Sequence, residues 1–376
     1  MIKIGFIGSV SKEWMGGYNY FKNLLYAINV LGSNELKVFV FLGKKSNPLT
    51  KDMFLKYATV IEDSAFDRMS LKWFLIKIEE KIFKTNFILE YILNKYDIQI
   101  LSHSFITKFK KIKTVNWIPD FQHIHLPEMF SKKELKNRDK TFLNVIKDSD
   151  IIIVSSNDAF TDLKTFASRY EAKVKVLQFV SQPVQEYNAM SKNILKTKYG
   201  INNDYFYMPN QFWKHKNHLT VFKAINQLRN ENINIHLVCS GHLEDYRNKN
   251  HIEILKNYIY KNNLDNNIKL LGLIDYEDVF NLIKFSKAVI NPSLFEGWST
   301  TVEECKSVGK NMILSDLNVH KEQYPAALFF NKNKKDSLVE VLRNYKEDDI
   351  DNNRELLNDR TKEFAEKYIT IVKSVI

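Results

Sequence analysis

Short apolar runs that end in glycine, proline or polar residues alternate along this chain with longer segments whose apolar residues recur every three or four positions. The first pattern is that of a buried strand and the second that of an amphipathic helix. Residues 2–7 form the first run, stopped by Gly8 and Ser9. A loop through Trp14, Gly16 and Gly17 leads into a helical pattern over 18–31, where Phe21, Leu24, Leu25 and Ile28 share a face. Further runs at 38–42, 98–102, 113–118, 151–154 and 174–180 read as buried parallel strands. Residues 51–95 read as helical. Within them Leu71, Phe74, Leu75, Ile78 and Ile82 share one face, and Lys72, Lys77, Lys81 and Lys84 lie mostly away from it. That pattern predicts a helix packed on the core with a solvated lysine face. Its other reading is a basic amphipathic helix lying on an anionic bilayer, with Lys108, Lys110, Lys111 and Lys113 adding to it.

A second series begins at Tyr205, and strand and helix alternate at short spacing as far as 345, the mark of a parallel sheet. Runs at 233–239 and 268–271 end at Gly241 and Gly272, and a helix over 278–285 precedes the run 289–291, closed by Pro292. A loop over 293–299 follows. Then a helix begins at Thr300 or Thr301, runs to about Val308 and meets Gly309 at its C-terminal end. Residues 312–315 form the next strand. Between the two series, 181–187 with Pro183 reads as the linker, and 190–198 as a short helix. The fold class is therefore α/β, in two Rossmann-like halves, each with a parallel sheet.

At 376 residues the chain has room for two domains with separate cores, and 44% hydrophobic with 26% charged residues is a globular composition. Two cysteines, Cys239 and Cys305, stand far apart and fit a reduced, cytoplasmic setting. Residues 1–10 read as a strand-like run rather than a leader, and no apolar stretch approaches the roughly 18 residues of a membrane span. The net charge of +11 implies anionic company: nucleic acid, anionic lipid or a phosphorylated substrate.

Two loops carry the candidate chemistry. The first, 210–217, is dense in donors: Asn210, Gln211, Lys214, His215, Lys216 and Asn217 precede a helix. A lysine beside a helix N-terminus suits a diphosphate, because unpaired N–H groups and the helix dipole favour an anion there. The second loop, 293–299, carries Glu296 and Gly297, and Glu304 follows one turn inside the next helix. Gly297 removes a side chain that would block close approach. A carboxylate on either side of a phosphate site suits a nucleotide sugar, whose two ends are rich in hydroxyls. The bland alternative is a capping box, Thr301 with Glu304 or Thr300 with Glu303. Gly16 and Gly17 form a third place where backbone can approach a phosphate, or simply punctuate a loop.

Pro292, Ser293, Leu294, Phe295, Glu296 and Gly297, followed after seven residues from Glu296 by Glu304, resemble the E-x7-E region of the retaining family-4 glycosyltransferases. Gly309, Ser315, Asp316 and Glu322 also fall where that family tends to have them. The resemblance covers 186–345 closely and the first half loosely. It implies the GT-B fold, with an acceptor-binding domain at 1–185, a donor-binding domain at 186–359 and the helix at about 360–376 packed back on the first. It also implies that Glu296 binds the donor sugar, Glu304 the ribose, and Lys216 the diphosphate. Gly16, Gly17, Gly297, Trp298, Ser299 and Thr300 would surround the donor, and the loop 273–276, with Ile274, would lie near the base. Three departures stand out: Thr300 and Thr301 replace Leu-Pro, Trp298 stands where Phe is usual, and Gln211 replaces the arginine that accompanies the lysine, a loss that Lys214 or His215 would make up. In the segment 117–130, similar to the family's acceptor-side loop, Pro119 stands where a His is usual, leaving Asp120 and His123 as acceptor-site candidates. His123 and His125 lack a third metal ligand. Asp148-Ser149-Asp150 mimics the metal-binding D-x-D of a different glycosyltransferase fold, but sits between a helix and a strand, and no metal is predicted.

The reading that follows is a cytoplasmic retaining glycosyltransferase, peripheral to the membrane if its acceptor is lipid-linked. It would use a nucleoside-diphosphate sugar as co-substrate, no separate cofactor and a saccharide acceptor, as in surface polysaccharide assembly. The rivals are a basic nucleic-acid-binding protein and a GT-B epimerase or hydrolase that consumes the donor without an acceptor.

Overall fold

A computed structural model describes residues 1–8, 15–32, 34–183, 190–245, 247–334, 336–347 and 357–376. Trp14 and part of the expected linker lie outside the described residues. The chain divides into two compact units: Met1–His123, Ser131–Val180 and Leu356–Ile376 form the first, and Ile124–Phe130 with Ser181–Glu355 form the second.

The first unit is built on a seven-stranded sheet. Its strands are β1 (Ile2–Ile7), β2 (Leu36–Leu42), β3 (Thr59–Glu62), β4 (Ile100–Ser102), β5 (Lys113–Ile118), β6 (Ile151–Val154) and β7 (Val174–Val176), in the order β3-β2-β1-β4-β5-β6-β7. All pairings are parallel, with Ile4 opposite Val38 on one side and Ile100 on the other. Helices cover both faces, so the strands are apolar on both sides; the four residues Ile151 to Val154 are all buried. The second unit holds β8 (Phe206–Met208), β9 (Leu237–Cys239), β10 (Ile268–Leu270), β11 (Val289–Asn291), β12 (Met312–Ser315) and β13 (Leu328–Phe330), ordered β10-β9-β8-β11-β12-β13 and again parallel. Two buried clusters, one around Phe222, Ile225 and Ile290 and one around Tyr207, Val302 and Leu314, pack its two faces.

Three expectations change. Residues 51–95 are not continuously helical: helices Pro48–Leu55, Leu71–Ile82 and Phe87–Asn94 are interrupted by the edge strand β3. The face made by Leu71, Phe74, Leu75, Ile78 and Ile82 is exposed rather than packed on the core. Gly16 and Gly17 lie inside the helix Met15–Leu31 and not in the loop before it.

The last helix, Leu357–Lys373, returns to the first unit and packs against Met15–Leu31. Its Tyr368 is fully buried and donates to Ser102 Oγ at 2.8 Å; Ser102 Oγ lies 2.7 Å from His103 Nδ1, and His103 Nε2 lies 2.8 Å from the Tyr20 hydroxyl. Burial lowers the His103 pKa to about 3, so the ring is neutral and acts as one donor and one acceptor. Tyr20 also stacks on Trp117 at 3.9 Å. This buried chain ties the C-terminal helix to the end of β4. Tyr368→Phe is expected to cost about 1 kcal/mol and Tyr368→Ala about 3–5 kcal/mol in urea denaturation. Equal, negligible losses for both would show that the helix is not anchored there.

Candidate active site

In the second sheet the strand order reverses between β8 and β11, and in open α/β sheets ligands gather at the carboxyl ends of the two strands flanking such a point. The loops that leave those two ends are the two candidate loops of the sequence, 210–217 and 293–299. They are joined three times: Lys216 Nζ meets Glu296 Oε1 at 2.7 Å, Asn217 Nδ2 donates to the Pro292 carbonyl at 3.1 Å, and Leu294 N donates to the His215 carbonyl at 2.8 Å. Asn217, at φ 59°, ends the short turn Lys214–Lys216 and opens the helix His218–Asn230. From the other side, a Cβ on Gly241 would stand 2.6 Å from the Asn210 carbonyl oxygen, so glycine lets the end of β9 pass beneath the first loop.

Glu296 and Lys216 are mostly buried, with side chains 9% and 15% exposed. Burial alone would push the Glu296 carboxyl up, but Lys216 beside it and the Ser293 hydroxyl at 2.7 Å hold it down at about 2. The carboxylate is therefore ionised throughout the neutral range. Its contacts converge on Oε1, where Lys216, Ser293 and, at 3.5 Å, Asn291 Nδ2 meet. Among the described residues nothing is hydrogen-bonded to Oε2. His215 is buried, and burial, with Lys216 adjacent, lowers its pKa to about 3, so it does not supply the charge lost with the missing arginine.

The helix Thr300–Val308 has Ser299 as its N-cap, and neither capping box forms. Instead the Gln323 side chain grips Ser299 from both sides: Ser299 N donates to Oε1 at 3.0 Å, and Nε2 donates to the Ser299 carbonyl at 2.8 Å. Gln323 Nε2 also reaches Glu303 at 3.0 Å, which is structural and fully buried. Glu304 differs. The Tyr276 hydroxyl donates to its Oε1 at 2.7 Å, no described residue bonds its Oε2, and burial lifts its pKa to about 7.

Of the other sequence candidates, Gly297, Trp298 and Thr300 line the second loop and the helix start, and Gln211 the first loop, all half-buried. Ile274 packs against the core cluster around Tyr207, Val302 and Leu314. Lys214 is exposed and donates its backbone N–H to Asp245. Gly16, Gly17, Asp120 and His123 belong to the first unit. There Asp120 Oδ1 accepts from Gln122 N at 2.9 Å and lies 3.4 Å from Arg138, while the buried His123 Nε2 stands 3.1 Å from Asp139. His125 lies beside Phe295 in the second unit, ring centres 5.0 Å apart. Asp148 pairs with Lys108, and Asp150 with Lys113 and Thr114, so both aspartates hold strand and loop ends. Asn291, Gln323 and His320 were not signalled by sequence, and Tyr276 only as the end of the loop 273–276 expected near the base. Asn291 Nδ2 donates to Ser299 at 3.0 Å, and buried His320, held by the Ser315 carbonyl at 2.9 Å, helps to lower Glu296.

Comparison with known proteins agrees with this fold. The two units have the GT-B class of fold: the glycosyltransferase from Rickettsia africae ESF-5 aligns at 14% identity with a TM-score of 0.63, over 99% of this chain and 96% of that one. HepE of Anabaena, solved in complex with UDP-glucose, aligns at 13% identity with a TM-score of 0.64, over 100% and 98%. The lipopolysaccharide outer core galactosyltransferase WaaB, in its apo form, aligns at 15% identity and 0.57, over 100% and 99%. Residues 191–366 match the family described as glycosyl transferases group 1. No curated protein matches the sequence.

Glu304 yields a pH test. An unfolded chain releases this proton near the ordinary 4.5, whereas the folded chain holds it to about 7. The folded state therefore binds more protons between those values, and its contribution to stability falls as pH rises through them. Urea denaturation at pH 5, 6 and 7 is expected to show Glu304→Gln gaining on the wild type as pH rises. A difference independent of pH would mean that the carboxyl titrates as in water.

Proposed function

We propose that this chain is a retaining glycosyltransferase that moves a hexose from a nucleoside-diphosphate sugar to a saccharide acceptor in surface polysaccharide or glycan assembly. The observation that carries the reading is the Lys216–Glu296 pair at the strand-order reversal, with one oxygen of Glu296 held by the protein and the other open. An ammonium has three N–H groups, and Glu296 takes one, so Lys216 keeps two for diphosphate oxygens. The N-terminus of Thr300–Val308 adds partial positive charge. Together they stabilise the charge that develops as the bond from the anomeric carbon to phosphate oxygen breaks.

Glu296 Oε2 accepts donor-sugar hydroxyls, and Glu304 Oε2 accepts those of the ribose. The acceptor hydroxyl forms its new bond to the anomeric carbon on the face the phosphate leaves, and its proton goes to the departing diphosphate oxygen. A covalent carboxylate intermediate, as in retaining hydrolases, is the other route. Glu296 is poorly suited to it, because a carboxylate held near 2 and paired with lysine is a weak nucleophile. Asp120 and His123 are proposed on the acceptor side. HepE's UDP complexes make UDP-sugars the first donors to screen.

The test is thermal stabilisation by UDP, GDP and ADP, followed by transfer assays with NMR of the product's anomeric centre. One nucleotide is expected to raise Tm well above the others. Lys216→Ala should lower kcat about 10²- to 10³-fold, with Lys216→Arg recovering part of it. Glu296→Ala should abolish transfer, and Glu304→Gln should weaken donor binding about tenfold, the scale of one lost hydrogen bond to a charged group. Wild-type rates in Glu296→Ala, or free sugar released with no transfer product, would overturn the reading.

A further inference from the structure

The helix Leu71–Ile82 is fastened to the first unit by its less apolar side. Its buried residues are Ile76 and Glu79. The Glu79 carboxylate accepts the backbone N–H groups of Phe87 and Ile88 and the Thr85 hydroxyl, capping the next helix, Phe87–Asn94. Glu90, buried on that second helix, accepts the N–H groups of Lys110 and Lys111. Two buried carboxylates thus bolt two helices and the 108–113 loop into one piece.

What this piece leaves outward is apolar. Leu71, Phe74, Leu75, Ile78 and Ile82 are exposed, Leu71 by 78% and Ile82 by 65%. At a helical turn of about 100° per residue the five fall within a single arc of about 100°. Phe87 and Tyr91, one turn apart, are exposed on the second helix. Single apolar residues at a surface need no explanation, but a contiguous stripe marks something that covers it. Lys77 and Lys81 run along one edge of the stripe, Lys84 follows its end, and Lys110 and Lys111 are exposed on the attached loop. The neighbouring acid Glu80 is taken by Lys77. A second copy would bring like charges against these lysines, whereas an anionic bilayer receives both the apolar stripe and its cationic edge.

We propose that helix Leu71–Ile82, with the two elements bolted to it, docks the first unit on an anionic lipid surface. The inference rests on the first unit alone and does not depend on the transferase reading. In flotation of the full chain, binding to vesicles of phosphatidylcholine with phosphatidylglycerol is expected to exceed binding to phosphatidylcholine alone by about tenfold or more. Lys81→Glu with Lys84→Glu should reduce it by at least about tenfold. Phe74→Ser with Ile78→Ser should abolish it with little change in Tm and none in nucleotide binding, since both side chains are about half exposed and lie in the first unit. Equal flotation with both vesicle types, or undiminished binding by Phe74→Ser with Ile78→Ser, would overturn the proposal. So would a wild-type dimer that this variant dissolves, because the stripe would then belong to a second copy.

Discussion

A single ion pair, Lys216 with Glu296, closes the end of the second sheet at the place where its strand order reverses. It holds two loops that leave different strands, and both partners are largely withdrawn from water. Such a pair is costly to half-remove: losing one member strands the other charge, typically at about 3–5 kcal/mol. The surrounding hydrogen bonds all serve to keep it in place. The Asn217 side chain and the Leu294 backbone stitch the loops, Ser293 and Asn291 load the same carboxylate oxygen, and Ser315 Oγ donates to the Ser293 carbonyl at 2.6 Å. The result is a carboxylate with one fixed edge and one open edge.

The three acids of this region show how environment separates their roles. Glu296 is driven strongly ionised by lysine, Glu304 is driven towards neutrality by burial in spite of its Tyr276 hydrogen bond, and Glu303 is absorbed by Gln323 and Lys306. Their positions on one helix and its preceding loop would not distinguish Glu303 from Glu304. Their partners do.

Much of this was legible in the residues. The parallel sheets follow from apolar runs broken at Gly and Pro, and Lys216, Glu296 and Glu304 follow from local spacing beside helix ends. Gln323 was not legible, because its contact with Ser299 spans 24 positions and no local pattern records it. Tyr276 reaches Glu304 across 28 in the same way. The strand Thr59–Glu62 escaped because it is a short, half-exposed edge. Periodicity also showed that helix Leu71–Ile82 has an apolar face without showing where that face points. Buried Glu79, which a pattern of apolar residues counts as polar and outward, decides its orientation.

The return of Leu357–Lys373 to the first unit has a temporal consequence. On a ribosome, the sheet of the first unit is complete by Val176, yet Tyr368, which fills the space beside Ser102 and packs near Phe6, emerges only after the second unit. The intervening 175 or so residues, the bulk of the second unit, are synthesised in between. The half begun first is finished last, so its unsealed hydrophobic face must be tolerated, or shielded, for the whole time the other half is being made and folded.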